Sequence, residues 1–445
     1  MTIETIPGSE TRYYLINFDE DGRERSDDPH AANGRLSDTV AAELAAQPVT
    51  DVVFMSHGWQ GDVPAAKRQY EDWSSAMLGC AEDIERLRAT RSGFRTLLVG
   101  LHWPSLPWGD EDPVAEPASF APGGPDPVDA WVTEAAAKLV DTPRAREALR
   151  TIFVSALDEL VPDALPPEVV EAYRVLQTEA GLGADGPGGA PGDDIEGFDP
   201  EAVYQEALED DDAFGGVPGV GGLLAPLRQL SFWKMKARAR TIGETGAGEL
   251  LRRLQDLAGE RDVRFHLMGH SFGCILVSAV VNGPGGDAPI AKPVHSLFLA
   301  QGALSLWAYC SDIPPAPGRP GYFHPLIAKG KVAGPIVTTR SVHDTAVRRF
   351  YPLGAGAARQ VDFAPGKLPK YGGIGMFGIQ GPGIDLEDRP MLEPEGDYGF
   401  RGGRVYNLDG SEFINEGGGA AGAHGDIAKP AVAHAFWQAI AAPPA

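Results

Sequence analysis

Cysteine is scarce in this chain. Only Cys80, Cys274 and Cys310 occur among 445 residues, odd in number, far apart and without a C-x-x-C pair, so neither a disulfide framework nor a zinc site is indicated. Cys80 and Cys274 fall on apolar faces of expected helices, where a thiol packs as a small hydrophobe. Positive charge is short as well. Lys and Arg number 38 against 62 Asp and Glu, a net charge of −24, which argues against a phosphate backbone or an anionic membrane surface as partner. No run of 18 apolar residues occurs, and the N-terminus lacks a basic segment followed by an apolar core. The expectation is therefore a cytoplasmic protein with no stable membrane insertion and no nucleic-acid partner.

Several cofactor signatures are missing too. Neither a Walker A sequence nor H-E-x-x-H is present. Gly373, Gly375 and Gly378 spell G-x-G-x-x-G, but no strand precedes them and Gly381-Pro382-Gly383 stands where a helix would have to follow, so a dinucleotide site is rejected. Asn17, Asp19, Asp21, Gly22 and Asp28 imitate an EF-hand loop; strands flank it and Arg23 and Arg25 lie inside it, which disfavours calcium. No cofactor and no metal are expected.

What the chain does have is alternation of strands and helices, with 43% hydrophobic residues to fill one large α/β domain with insertions, or two domains. Thr11 to Phe18 predicts a strand, with Asp19 to Gly22 turning into a second one. Thr50 to Met55 holds the unbroken run Val52-Val53-Phe54-Met55, the pattern of a strand covered on both faces of a parallel sheet. Further strands are expected at Arg95 to Trp103, Val263 to Met268, His295 to Ala303, Pro335 to Thr339 and Arg404 to Leu408. Tyr70, Trp73, Met77, Cys80, Ile84 and Leu87 draw one apolar stripe on a single helix. Leu250, Leu251, Leu254 and Leu257 draw another, as do Val432, Phe436 and Ile440 behind Pro430.

The rhythm breaks between about Ser105 and Leu230, where Pro/Gly/Asp-rich pieces alternate with helical ones at residues 128–160, 166–179 and 200–213. The division that follows is a core of residues 1–105 and 231–445, an inserted helical region at 106–230 and a Pro/Gly-rich excursion at 352–402. Within the insertion, Gly215 to Leu224 is glycine-rich and apolar, suiting a hinge, an acyl-contacting loop or a plain linker. The acidic run Glu209 to Asp212 suits a solvated face.

The stretch with chemical content is Gly269-His270-Ser271-Phe272-Gly273, between the strand at Val263 to Met268 and a helical run from Cys274 to Val281 that stops at Asn282-Gly283-Pro284. In a chain with 56 glycines the five letters carry little weight by themselves. Their place between a strand and a helix carries more, because G-x-S-x-G there is the nucleophile elbow, a tight turn that pushes its serine out at a strained backbone angle. The stretch resembles the α/β-hydrolase superfamily of lipases and esterases. That resemblance implies a mostly parallel central sheet with helices on both faces, a large inserted cap or lid, and a Ser-acid-His order along the chain.

Only groups after Ser271 then qualify as partners. Asp344 follows the strand at Pro335 to Thr339, where the resemblance implies the acid; Asp312, after the preceding strand, is its rival, and a helix N-cap is the alternative role for Asp344. His424, in the glycine-rich loop between the last strand and the last helix, matches the base. His434, inside that helix, and His343, next to the acid, are the other candidates. The resemblance also implies an oxyanion hole from the N–H groups of Phe272 and Trp59, with Gly269 and Gly273 supporting the elbow and His57-Gly58 supporting the loop after Met55.

The activity implied is carboxylic ester hydrolysis on a small-molecule substrate with an apolar acyl group. A non-catalytic scaffold that uses the same fold to bind a partner, or a triad acting on amides or in acyl transfer, are the alternatives.

Overall fold

The computed structural model describes residues 3–31, 33–58, 63–105, 127–158, 162–195, 197–209, 221–348, 368–418 and 421–445. Among them nine strands form one sheet: β1 (Ile3–Thr5), β2 (Arg12–Asn17), β3 (Asp51–Ser56), β4 (Thr96–His102), β5 (Arg264–His270), β6 (Ser296–Ala300), β7 (Ile336–Arg340), β8 (Leu386–Pro390) and β9 (Val405–Asp409). Their order is β1-β2-β4-β3-β5-β6-β7-β9-β8. Every neighbouring pair is parallel except β1 with β2.

The central strands are apolar on both sides because both sides are covered. Val52 and Phe54 of β3 face one packed layer, together with Leu267 of β5 and Leu299 of β6, and this layer takes in α1 (Leu36–Ala46), α9 (Gly248–Ala258) and α10 (Gly273–Asn282). Val53 and Met55 face the opposite layer with Met268, Phe298 and Tyr406, which takes in α2 (Val63–Gly79), α3 (Ala81–Thr90) and the terminal helix Pro430–Ala441. The architecture is α/β, a mostly parallel sheet between two helical layers. No helix among the described residues is long and apolar enough to cross a membrane.

The described residues between 127 and 242 are mainly helical: α4 (Pro127–Lys138), α5 (Pro143–Asp158), α6 (Pro167–Glu179), α7 (Pro200–Glu209) and α8 (Gly221–Ile242). Residues 106–126 and 210–220 lie outside the described residues, and with them most of the expected hinge. Gly221 to Leu224 are no loop, however. They open α8, with Leu223 and Leu224 buried because they pack into the same layer as the core helices. The division expected after Leu230 falls inside this helix.

Three other local expectations change. The stripe from Tyr70 to Leu87 lies on two helices, α2 ending at Gly79 and α3 starting after Cys80, yet Tyr70, Trp73, Met77, Cys80 and Leu87 still share one packed layer. The single helical piece at 128–160 is broken between α4 and α5, where Thr142 Oγ accepts the Ala145 N–H at 3.1 Å and Pro143 takes the first helical position. The turn after Phe18 yields one bridge, Phe18 to Glu24, and no second strand. Glu24 is held instead by Ser37, whose N–H donates to Oε1 at 2.8 Å.

Parallel register brings the carboxyl ends of the strands to one edge. Ser56 pairs with Gly269, His270 with Ala300, and Arg340 with Asp409, so the residues after β3, β5, β6, β7 and β9 share a rim. The helices after neighbouring strands β3 and β5 go to opposite layers. Such a divergence at the carboxyl ends of the strands is where ligands usually bind in open α/β sheets.

Candidate active site

Ser271 follows the last residue of β5 and precedes α10. Its φ is 55°; among the described residues only Ser271 and Gln301 hold a positive φ without being glycine. For an L-residue with a Cβ this left-handed conformation costs about 1–2 kcal/mol. Main-chain hydrogen bonds hold it there. The Ser271 N–H donates to the Ala300 carbonyl at 3.2 Å, while its own carbonyl accepts from Cys274 and Ala303 at 3.1 Å each.

The flanking glycines are required by contact. A Cβ on Gly273 would stand 2.3 Å from the Ser56 carbonyl oxygen and 2.6 Å from that of His57, and one on Gly269 would stand 2.5 Å from the main chain of Gly273. Helix and strands touch here through bare backbone. Gly273→Ala is therefore expected to lower stability by about 1–3 kcal/mol, the range for overpacking a filled site, read as a lower Tm in thermal denaturation. Phe272 is buried at the head of α10, against the ring of Phe232 of α8 at 5.0 Å.

The loop after β3 runs beside the elbow. A Cβ on Gly58 would be 2.7 Å from the Ser271 Cβ. His57 is fully buried, and its ring has fixed partners: Nδ1 faces the Gly58 carbonyl at 2.8 Å, and Nε2 faces His102 Nδ1 at 3.0 Å and the Trp103 N–H at 3.3 Å. A ring whose Nε2 accepts and whose Nδ1 donates is neutral. Burial, then the neighbouring His102, hold its pKa well below the ordinary histidine value, against the raising effect of the Gly58 bond. His57 braces the loop. Trp59, the next residue but one, lies outside the described residues.

Asp344 and His424 are 80 positions apart, and the fold joins them. Asp344 makes an antiparallel bridge to Gly422, and the Ala423 N–H donates to the His343 carbonyl at 2.9 Å. Gly422 is needed for this approach: its φ is 56°, and a Cβ would stand 2.5 Å from the His343 carbonyl oxygen. His424 Nδ1 then lies 2.8 Å from Asp344 Oδ2. The carboxylate is fully buried while the imidazole is 15% exposed. Asp344 accepts at both oxygens, Oδ2 also taking Gln301 Nε2 at 2.9 Å and Oδ1 the Val347 N–H at 2.9 Å. The last of these is the helix-capping contact.

With Nδ1 donating to a carboxylate, the His424 Nε2 carries the lone pair. Among the described residues Asp344 is the sole hydrogen-bond partner of this ring, and the Ser271 hydroxyl is not bonded to it. What brings His424 to the elbow is His270. Its Nε2 donates to the His424 carbonyl at 2.8 Å, its Nδ1 accepts from Gln69 Nε2 at 3.2 Å, and the two imidazole rings are centred 4.8 Å apart. Burial, then the nearby His424, push the His270 pKa down to about 3, with the bond to the His424 carbonyl opposing. His270 therefore stays neutral and keeps its donor.

The rivals are occupied elsewhere. His434 is buried, its Nδ1 2.7 Å from Asp83 Oδ2 and its Nε2 2.9 Å from the Gly396 carbonyl. Asp312 accepts the Gly318 N–H at 2.6 Å in a local turn. His343 is exposed and contributes its main chain. Among the described residues no group of three or more His, Cys, Asp or Glu could hold a metal ion. Reading the sequence missed His270 and Gln301 as members of this cluster. His270 lay in plain view at the second position of the elbow, whereas Gln301 carries no sequence signal beyond following a strand. Neither protein-family models, nor curated proteins, nor solved structures match this chain.

Proposed function

We propose that this chain is a serine hydrolase of the α/β-hydrolase type, lipase- or esterase-like, which cleaves a carboxylic ester through Ser271, His424 and Asp344. The observation that carries the proposal is the 2.8 Å His424–Asp344 pair held by His270 next to a serine at φ 55°. A serine hydroxyl needs an imidazole to take its proton and a carboxylate to fix that imidazole's tautomer. The reading is supported by a serine, a carboxylate and an imidazole that follow strands β5, β7 and β9 of the same sheet.

In the proposed reaction the Ser271 Oγ attacks the acyl carbonyl while its proton passes to His424 Nε2. The charge that develops on the carbonyl oxygen is met by the Phe272 N–H at the head of α10, where the helix dipole adds roughly half a positive charge, and by the N–H of Trp59. His424 returns the proton to the departing alcohol oxygen. Water, deprotonated by the same imidazole, then attacks the acyl carbon; the bond to Ser271 Oγ breaks, His424 returns the proton to that Oγ, and the carboxylic acid leaves.

The inserted region 106–230 is proposed as the cap that shapes the acyl site, and an apolar acyl group on a small-molecule ester as its occupant. Amide cleavage and acyl transfer would use the same residues, with a different leaving group or acceptor.

A fluorophosphonate probe tests the proposal directly. The expected result is a single covalent adduct on the peptide containing Ser271, found by mass spectrometry, together with hydrolysis of p-nitrophenyl esters whose rate varies with acyl length. An unlabelled Ser271 and no hydrolysis at any chain length would overturn it in favour of a binding scaffold.

A further inference from the structure

Among the described residues the second non-glycine residue with a left-handed backbone is Gln301, φ 45°, the first residue after β6. It is fully buried. The two strained residues are coupled, because the Ser271 N–H donates to the carbonyl of Ala300, the peptide that leads into Gln301. Backbone strain of this kind persists only where the surroundings over-determine it, and it collects at functional sites.

The side chain of Gln301 is over-determined as well. Its Nε2 donates to Asp344 Oδ2 at 2.9 Å and to the Gly375 carbonyl at 3.2 Å. Its Oε1 lies 3.0 Å from Thr339 Oγ, which donates to it, while the same Oγ accepts the Gln301 N–H at 3.0 Å. A flipped amide would set its oxygen against a carboxylate and a carbonyl. The orientation is therefore unique, and it aims a donor at the oxygen that receives His424 Nδ1.

We propose that Gln301 is a positioning residue for the triad: from its strained turn at the end of β6 it locks the carboxylate of Asp344 in the rotamer that holds His424. The inference rests on the hydrolase reading for its catalytic consequence, though not for its geometry. A carboxylate with one donor fewer on Oδ2 keeps only the His424 Nδ1 and Val347 N–H contacts, so its rotation about the Cβ–Cγ bond is less restrained, and the imidazole follows. Misplacement by about 1 Å costs on the order of a hundredfold in rate.

The deciding variant is Gln301→Asn. Asparagine tolerates the left-handed backbone better than glutamine does, so the turn is preserved or relaxed, but its amide is one methylene too short to reach Asp344. The expected result is a lowered Tm, because buried Asp344 and Gly375 lose a donor and Thr339 an acceptor, and a kcat lowered by about 10- to 100-fold with KM within about twofold. The downfield proton resonance of the His424–Asp344 hydrogen bond should also shift or broaden in the NMR spectrum. Gln301→Glu serves as a check that side-chain length alone does not rescue the rate, since a carboxylate there opposes Asp344.

A merely structural glutamine would give an Asn variant with wild-type kcat and an unmoved resonance, and that outcome overturns the inference while leaving the hydrolase proposal standing. If the wild type proves unreactive towards the fluorophosphonate, the hydrolase proposal fails instead. The resonance still decides whether Gln301 sets the His424–Asp344 pair.

Discussion

Replacing His424 with Ala is expected to lower kcat/KM for ester hydrolysis by at least about a thousandfold, whereas His434→Ala lowers it by a few-fold at most. The contrast is the useful part, since both rings sit on carboxylates. His434 Nδ1 is 2.7 Å from Asp83 and His424 Nδ1 is 2.8 Å from Asp344. What differs is the second nitrogen. In His434 it is spent on the Gly396 carbonyl at 2.9 Å, inside a fully buried ring; in His424 it is free to take a proton at an imidazole 15% exposed. His434→Ala leaves the Asp83 carboxylate short of a donor in the core, costing about 1–3 kcal/mol, so its effect appears in the Tm. Steady-state rates and thermal denaturation of the two variants, measured together, check both halves. Equal kinetic effects would show that 424 is not the base.

The parts of this fold that could be foreseen are those where side chains dictate backbone. Val52 to Met55 can only be a strand covered on both faces, and it became β3 with all six residues buried. The glycines at 269 and 273 announce close backbone contact, and the contact is there. Strand β8 is the opposite case. Leu386-Glu387-Asp388-Arg389-Pro390 has neither alternation nor β-branched residues, and it pairs because Arg404 of the adjacent chain segment meets Asp385 and Glu387 at 2.9 Å each. That information is tertiary. Strand β1 is likewise only three residues long, below what periodicity can register.

At the site the same division holds. The family resemblance, through its chain order, singles out Asp344 and His424 as candidates, but not what holds them. The His343–Ala423 hydrogen bond and the Gly422 bridge are main-chain contacts between segments 80 positions apart, so they leave no mark in a local pattern. Gln301 is invisible for a related reason. A glutamine with φ 45° runs against the usual preference for glycine or asparagine there, and the hydrogen bonds that hold it come from Thr339 and Gly375. Local preference and tertiary demand disagree at Ser271 and Gln301, and both lie at the carboxyl ends of neighbouring strands.

Asp344→Asn should be the most informative single change in the acid. It keeps the volume at a position with no solvent exposure and alters only who donates. Both oxygens of Asp344 are acceptors: Oδ2 for His424 Nδ1 and Gln301 Nε2, Oδ1 for the Val347 N–H. An asparagine must place its NH2 at one of them. Set at Oδ1 it opposes the Val347 N–H, so the helix start loses its cap. Set at Oδ2 it opposes the Gln301 amide, and His424 must turn Nδ1 into an acceptor, which moves the ring proton to Nε2. A ring protonated there cannot take the Ser271 proton. The expected loss is about 10⁴-fold in kcat at neutral pH, the scale of a wrong tautomer, with substrate binding little changed. The protein should also be less stable by about 1–3 kcal/mol for the unmatched buried donor. A variant that keeps more than a tenth of wild-type kcat with an unchanged Tm would remove Asp344 from the mechanism, because the one arrangement of the amide that leaves Nε2 a base sets its NH2 against the Val347 N–H and must appear as lost stability.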